Sequence, residues 1–415
     1  MGCCDAKGLM PLEQALTKLQ TSVSNVCESI ILPLSEALGF ALAQDIQSPI
    51  NVPPFNNSAM DGYAMLQADL LEASAETPIT LTMVGRSFAG APYSGDLKSG
   101  QCIRIMTGAV MPHCADTVVM QENTLADGAQ ISFTKNPSFN DNVRQAGEDL
   151  QQGQTVLKVG HKLTPRDIPL IASLGIANIS VYRKLKVAVI SSGDELKNLG
   201  QPLAEGDIYD SNRYSIIALL SRLNVEVIDF GIIADDLNLI RDAIRLADEQ
   251  ADVVITSGGV SVGEADFIKD VLSELGEIGF WKLAIKPGKP FAFGKLPSSM
   301  FFGLPGNPVS AMVTLYQLAV PAMATMAGLI AKPAIRFNAI TTDKLRKAPG
   351  RTDFQRAVYS VNTEGQLIVS TTGSQGSGVF SSMSQSNCFI VLEQDRGNVE
   401  IGETVSIEPY SALMD

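Results

Sequence analysis

The chain has 415 residues, with 31 Lys and Arg against 44 Asp and Glu, for a net charge of −13. That balance argues against a general nucleic-acid binder, which needs a basic face to neutralise phosphates, but leaves room for one small anion on a local basic cluster. Apolar residues at 45% and charged residues at 18% describe a globular chain with a large core, and the length suggests roughly two to four domains.

Six cysteines, Cys3, Cys4, Cys27, Cys102, Cys114 and Cys388, form no C-x-x-C pair and read as reduced thiols of a cytoplasmic protein. With His113 and His161 as the two histidines, no zinc-type spacing arises. Met1-Gly2-Cys3-Cys4 has the look of an acylation signal. Ala6 stands where Ser or Thr belongs, so a loose N-terminus is expected. Residues 296–331 carry no charge. Thr314, Gln317, Pro321 and Thr325 interrupt the apolar part, so it reads as a buried helix rather than a membrane span.

In chain order, Leu12, Leu16, Leu19 and Val23 fall at helical spacing, and the leucines at 32, 34 and 38 extend a helical reading over 11–45. From 46 to 145, short apolar runs (Ile79–Val84, Gln101–Met106, Thr117–Met120, Gln130–Phe133) alternate with Gly, Pro and Asn turns and predict a β-rich domain. Helix returns at Pro165–Leu174, with Thr164 as N-cap and Pro165 at the first helical position. The flanking pieces, 8–45 and 146–179, make a discontinuous linking domain.

Between 180 and 330 the pattern becomes strand, loop, helix. Strands are predicted at Lys186–Ser191, Glu226–Phe230, Val253–Ser257, Phe291–Phe293 and Met300–Gly303. Helices are predicted near Asn212–Leu223, Leu237–Glu249, Glu264–Leu275 and Pro308–Ala319. Continuous apolar strands alternating with helices mean a doubly wound, mostly parallel α/β domain. Residues 331–415 return to short strands and turns and predict a small C-terminal β-barrel.

Ligands of such sheets bind outside the carboxyl ends of the strands. Those ends are followed by Ser192-Gly193-Asp194-Glu195, by Gly231 with Asp235 and Asp236, by the run from Ser257-Gly258-Gly259 to Asp266, and by Leu304-Pro305-Gly306-Asn307-Pro308. Gly-rich turns opening helices suit phosphate oxygens. Glu264 and Ala265 replace the Lys and Ser/Thr of a P-loop, which argues against that kind of ATP hydrolysis. Singly, Asp235 and Asp236 could merely cap a helix. Carboxylates beside phosphate-binding turns together suggest Mg²⁺.

Residues 278–342 contain no Asp or Glu but carry Lys282, Lys286, Lys289, Lys295, Lys332 and Arg336. A basic island in an acidic chain is what an anionic substrate needs. Within it, Lys286-Pro287-Gly288-Lys289-Pro290 is a stiffened turn bearing two ammonium groups; the alternative is a solvated hairpin tip. Asn57-Ser58-Ala59-Met60-Asp61-Gly62-Tyr63-Ala64 sets an acid in a Gly turn, readable as a plain Asx turn, and Thr107-Gly108 presents a hydroxyl after a strand.

Five of these runs, Asn57–Ala64, Arg104–Gly108, Ser257–Asp266, Lys286–Pro290 and Leu304–Pro308, closely resemble the molybdopterin molybdenumtransferase family that includes MoeA and the gephyrin E domain. The resemblance extends over the chain from about residue 8. It implies an elongated homodimer of four-domain subunits. The implied reaction inserts molybdenum from molybdate into adenylylated molybdopterin and releases AMP with Mg²⁺. It also implies transient contact with the adenylyltransferase and with acceptor molybdoenzymes, and no nucleic acid or membrane.

By the same resemblance Asp61, Thr107, Glu148 or Asp149, Glu195, Asp235 and Asp266 match functional acids and hydroxyls. Lys286, Lys289, Arg351 and Ser377 match molybdate positions, and Pro305 and Pro308 match a pocket-shaping loop. The reading that follows gives Mg²⁺ to Asp235 and Asp266, with Glu195 assisting. Phosphate oxygens go to Ser257, Gly258, Gly259 and the helix near Pro308, with Lys282 in the basic island. Two other functions compete: the preceding adenylylation of molybdopterin, whose Gly-Gly-Thr-Gly turn is absent here, and a peptide-binding scaffold, which would not need the acids and lysines.

Overall fold

The computed structural model describes residues 8–258, 267–330, 332–410 and Met414. The start Met1-Gly2-Cys3-Cys4 lies outside them. The chain divides into two compact units: Met1–Ala43, Gly160–Thr164 and Ile179–Asp415 in one, Gln44–Val159 and Pro165–Asn178 in the other.

The first unit is built on a six-stranded sheet of β1 (Lys186–Ser192), β2 (Glu226–Ile233), β3 (Val253–Ser257), β4 (Glu277–Lys282), β5 (Pro290–Lys295) and β6 (Met300–Leu304), in the order β2-β1-β3-β6-β5-β4. The first three ladders are parallel, and β6-β5-β4 is antiparallel. The sheet is therefore mixed, and β4 is a strand that the sequence pattern conceals. Its run Glu-Ile-Gly-Phe-Trp-Lys carries a glycine where alternation would otherwise show. Gly279 leaves room for the Trp281 ring, whose nitrogen would lie 2.7 Å from a Cβ there.

Alternate residues of β1 serve opposite faces. Val187 and Val189 join a core with α1 (Ser211–Leu220) and the long helix α4 (Pro308–Met326), while Ala188 and Ile190 join one with α2 (Leu237–Gln250) and α3 (Phe267–Leu275). That double coverage explains why the strands read as continuous apolar runs.

Among the described residues α4 is the one helix long and apolar enough to cross a membrane, yet 78% of its apolar window is buried in the protein. Its polar residues face partners inside. Thr314 Oγ1 donates to Ser310 O at 2.8 Å, and buried Gln317 donates to Glu408 Oε1 at 2.6 Å. A five-residue π stretch, Leu315–Ala319, precedes Pro321 and lets the helix run through it.

The barrel consists of β7 (Phe337–Thr341), β8 (Thr352–Val361), β9 (Leu367–Thr371), β10 (Cys388–Leu392) and β11 (Thr404–Pro409). They pair in the order β8-β9-β7-β11-β10, and β10 closes back onto β8. The short strand Ile285–Lys286 adds to β8 in parallel, Lys286 opposite Asp353.

The second unit holds a six-stranded sheet ordered Thr117–Met120, Gly62–Met65, Gln101–Ile105, Ile79–Ser87, Gln130–Phe133, Thr124–Asp127.

Two helical expectations are cut back. α-Helix covers Leu12–Ser22 of 11–45, and a single 3₁₀ turn Leu34–Glu36; Ser29–Pro33 is a strand on Asn178–Tyr182, with Ile31 75% exposed. Two adjacent β-branched residues and Pro33 favour extended backbone over helix there. The later helix is Asp167–Ser173 with Arg166 at the N-cap position, so Thr164 and Pro165 precede it. The start of the helix expected from Glu264 lies outside the described residues.

Burial pushes the thiol of Cys27 up to about 11 and those of Cys102 and Cys388 to about 12, while Cys114 is exposed. A thiol reagent at neutral pH therefore labels Cys114 of the folded protein well before these three. Equal rates for all four, read by mass spectrometry, would contradict this packing.

Candidate active site

In the second unit, antiparallel pairing sets Gly62 opposite Ile105, so Asp61 and Thr107 emerge side by side. Asp61 Oδ1 accepts both the Thr107 backbone N–H and its hydroxyl, each at 2.8 Å. These two bonds, with a smaller contribution from the Arg104 charge, hold the Asp61 carboxyl below the usual carboxylate range. The side chain reaches across the sheet, which sets it apart from a plain Asx turn. Arg104 braces the same turn through Gly62 O at 2.7 Å and lies over the Tyr63 ring. Gly62 is obligatory, since a Cβ would stand 2.1 Å from Val119 O. Asp149 is exposed on its loop, and neighbouring Glu148 turns back to accept the Gln145 N–H.

In the first unit the carboxyl ends of the parallel strands are tied together. Asn212, at the start of α1, donates from one amide nitrogen to Ser257 Oγ and to Gly306 O, both at 2.8 Å. This bridges the loops after β3 and β6. Gly258 donates its N–H to Leu304 O at 3.2 Å with φ +91, and a Cβ there would crowd Ser192 O at 3.0 Å. Gly259 and Asp266 lie outside the described residues.

Asp235 Oδ1 accepts the Ser192 hydroxyl, and the Asp235 N–H donates to Asp194 Oδ1 at 3.0 Å. Asp236, not Asp235, caps α2, accepting from Asn238 and Leu239. Glu195 is exposed and folds over Gly193, where a Cβ would meet its Oε2 at 2.6 Å.

The lysine turn is no solvated tip. Pro287 and Gly288 are buried, and a Cβ on Gly288 would meet Thr314 Cγ2 of α4 at 2.7 Å. Lys282 pairs across the hairpin with Pro290, so it stands beside exposed Lys289. Lys286 reaches Asp353 Oδ2 at 3.2 Å.

Pro305 is buried ahead of α4, Pro308 occupies its first turn, and Asn307 makes no side-chain cap. The Val309 N–H is taken instead by Ser377 O at 3.1 Å. Arg351 is half-buried at the entry to β8, next to Thr352, whose N–H binds Ala284 O at 2.8 Å.

Sequence reasoning missed three residues here. Arg356, 0% exposed, donates to Ser382 Oγ and Gly376 O at 3.0 Å each and so clamps the loop that carries Ser377. Asp353 anchors Lys286, and Asn212 joins two loops. Each is a lone polar residue whose partners lie far away in sequence, so no local spacing reveals it. An arginine in the run Phe354-Gln355-Arg356-Ala357-Val358 was the one available signal.

The acids supply hard oxygen donors. Among the described residues no three His, Cys, Asp or Glu side chains form a ready metal group. Such a rim fits Mg²⁺ held by one or two carboxylates together with substrate phosphates.

Comparison with known proteins closes the question of kinship. Residues 10–175 match the MoeA N-terminal region (domain I and II), 188–325 a probable molybdopterin binding domain, and 338–410 the MoeA C-terminal region (domain IV). The chain belongs to the MoeA family of molybdopterin molybdenumtransferases. It is 51% identical over 98% of its length to the molybdopterin molybdenumtransferase of Haemophilus influenzae, all of which is covered. Identity to the Bacillus subtilis molybdopterin molybdenumtransferase is 34% over 90% of this chain and 88% of that one. The crystal structure of the molybdopterin biosynthesis MoeA protein from Pyrococcus horikoshii matches with a TM-score of 0.85 and 29% identity, over 97% of this chain and all of the other. The MoeA-family chain is thus an enzyme of molybdenum cofactor biosynthesis.

Replacing Thr107 with Ala removes the hydroxyl bond to Asp61 and raises that carboxyl toward its ordinary value. A carboxyl NMR titration reads the change; an Asp61 midpoint that stays put would contradict the assignment.

Proposed function

We propose that this enzyme binds adenylylated molybdopterin and molybdate, cleaves the phosphoanhydride to release AMP, and leaves molybdenum on the pterin dithiolene. The observation that carries this reading is the packing of three elements on the first turns of α4. The lysine turn meets it at Thr314, the Ser377 loop at Val309, and the Gly306 loop runs into it. The lysine turn, the Ser377 loop and the Gly306 loop thereby share one end of the sheet with the Asp235 rim.

In this reading Lys286 and Lys289 hold molybdate by charge-assisted hydrogen bonds, with Lys282, Arg351 and Ser377 around them. Ser257, Gly258, Gly259, Pro305 and Pro308 shape the seat of the pterin phosphates. Asp235 and Asp266, assisted by Glu195, would hold Mg²⁺. When bound, the ion polarises phosphorus and stabilises the leaving AMP. Asp61, its carboxyl held low by Thr107, and Asp149 are the functional acids of the second unit. The enzyme works in the cytoplasm as a homodimer, with brief contacts to the adenylyltransferase and to acceptor molybdoenzymes. The free cysteines accord with a reducing compartment.

The test is AMP release from adenylylated molybdopterin with Mg²⁺, titrated with molybdate. Molybdate should stimulate release, and Lys286→Gln should raise the half-saturating molybdate by about tenfold. Asp235→Asn should slow release by roughly a hundredfold without moving that midpoint. Release indifferent to molybdate would defeat the proposal.

A further inference from the structure

Lys286 sits on a short strand in register with barrel strand β8, directly opposite Asp353. The two side chains contrast sharply in exposure: 41% for Lys286 and 4% for Asp353. A half-exposed lysine on a four-carbon stem samples many rotamers, and a point charge gives it no preferred geometry. Here its Nζ is held 3.2 Å from Asp353 Oδ2, and that oxygen is itself fixed by Gln355 Nε2 at 3.2 Å. The Thr352 N–H to Ala284 O bond at 2.8 Å locks the backbone alongside. An ammonium has three donors. One bond to Asp353 leaves two for a ligand while the carboxylate stays behind, in the protein.

We infer that Asp353 is a positioning residue for anion binding: it acts through Lys286, holding that ammonium where an oxyanion meets it. The inference rests on the assignment of Lys286 to molybdate. It brings the barrel into the site through a residue that touches no substrate.

The experiment is a double-mutant cycle on the full-length enzyme, read as the molybdate KM and the adenylylated molybdopterin KM of AMP release. Asp353→Asn should raise the molybdate KM by about tenfold and leave the pterin KM unchanged. In a Lys286→Gln background the same change should add nothing, because its route of action is gone. A purely structural role would shift both KM values and would act equally in both backgrounds; either result overturns the inference. An unchanged or lower molybdate KM also overturns it, the lower value meaning that the carboxylate repels the anion. If Asp353→Asn does not fold, Asp353→Ser removes the charge with less bulk and is held to the same outcomes. A Lys286→Gln enzyme with normal molybdate KM defeats the Lys286 assignment and this inference with it. A raised KM in Lys286→Gln alone defeats only the inference.

Discussion

The first two turns of α4 are the constraint on which the rest of the first unit depends. Pro308 brings no N–H, Asn307 supplies no cap, and Val309 is satisfied by a carbonyl from the distant Ser377 loop. Gly288 packs on Thr314 so closely that even a methyl group is excluded. Asn212 pins Gly306, immediately before the helix, to Ser257. The sheet, the barrel loop and the lysine turn thus share one rigid floor. The positive charge of that floor comes from the lysine turn, because Pro308 brings no N–H and those of Val309 and Ala311 are already bonded.

The buried polar groups follow a different logic from stability. The Arg356 guanidinium donates to a hydroxyl and to carbonyl oxygens, and burial lowers its pKa. Bonds to a charged donor contribute about 1.5–3 kcal/mol each, and desolvating the ion costs several. The two nearly cancel, so the gain is geometric: one side chain sets the course of the loop at 374–376 and presents Ser377 to α4. Asp61 obeys the same rule in the second unit. Its carboxylate is exposed enough to act, yet its direction is settled by Thr107.

Much of this was legible in the sequence. Apolar runs bounded by glycines mark β1, β3 and β6 because strands covered on both faces must be apolar throughout. The Lys-Pro-Gly-Lys-Pro turn stands out because a run of lysines without acids is rare in an acidic chain. The strand at Glu277–Lys282 stayed hidden, since its central Gly279 breaks alternation and exists to admit Trp281. The helical reading of 23–45 failed because leucine spacing alone cannot outweigh Ile30, Ile31 and Pro33. Asp353, Arg356 and Asn212 were invisible for a deeper reason. Their partners are 67, 20 and 45 residues away, and only the closed barrel and the parallel sheet bring them together.

The account stands or falls on where the oxyanion binds. Crystals soaked in molybdate and measured at the molybdenum absorption edge locate it directly. An anomalous peak is expected within hydrogen-bonding reach of Lys286 Nζ, on the side away from Asp353. A fully occupied peak elsewhere, with the lysine turn empty, would contradict it.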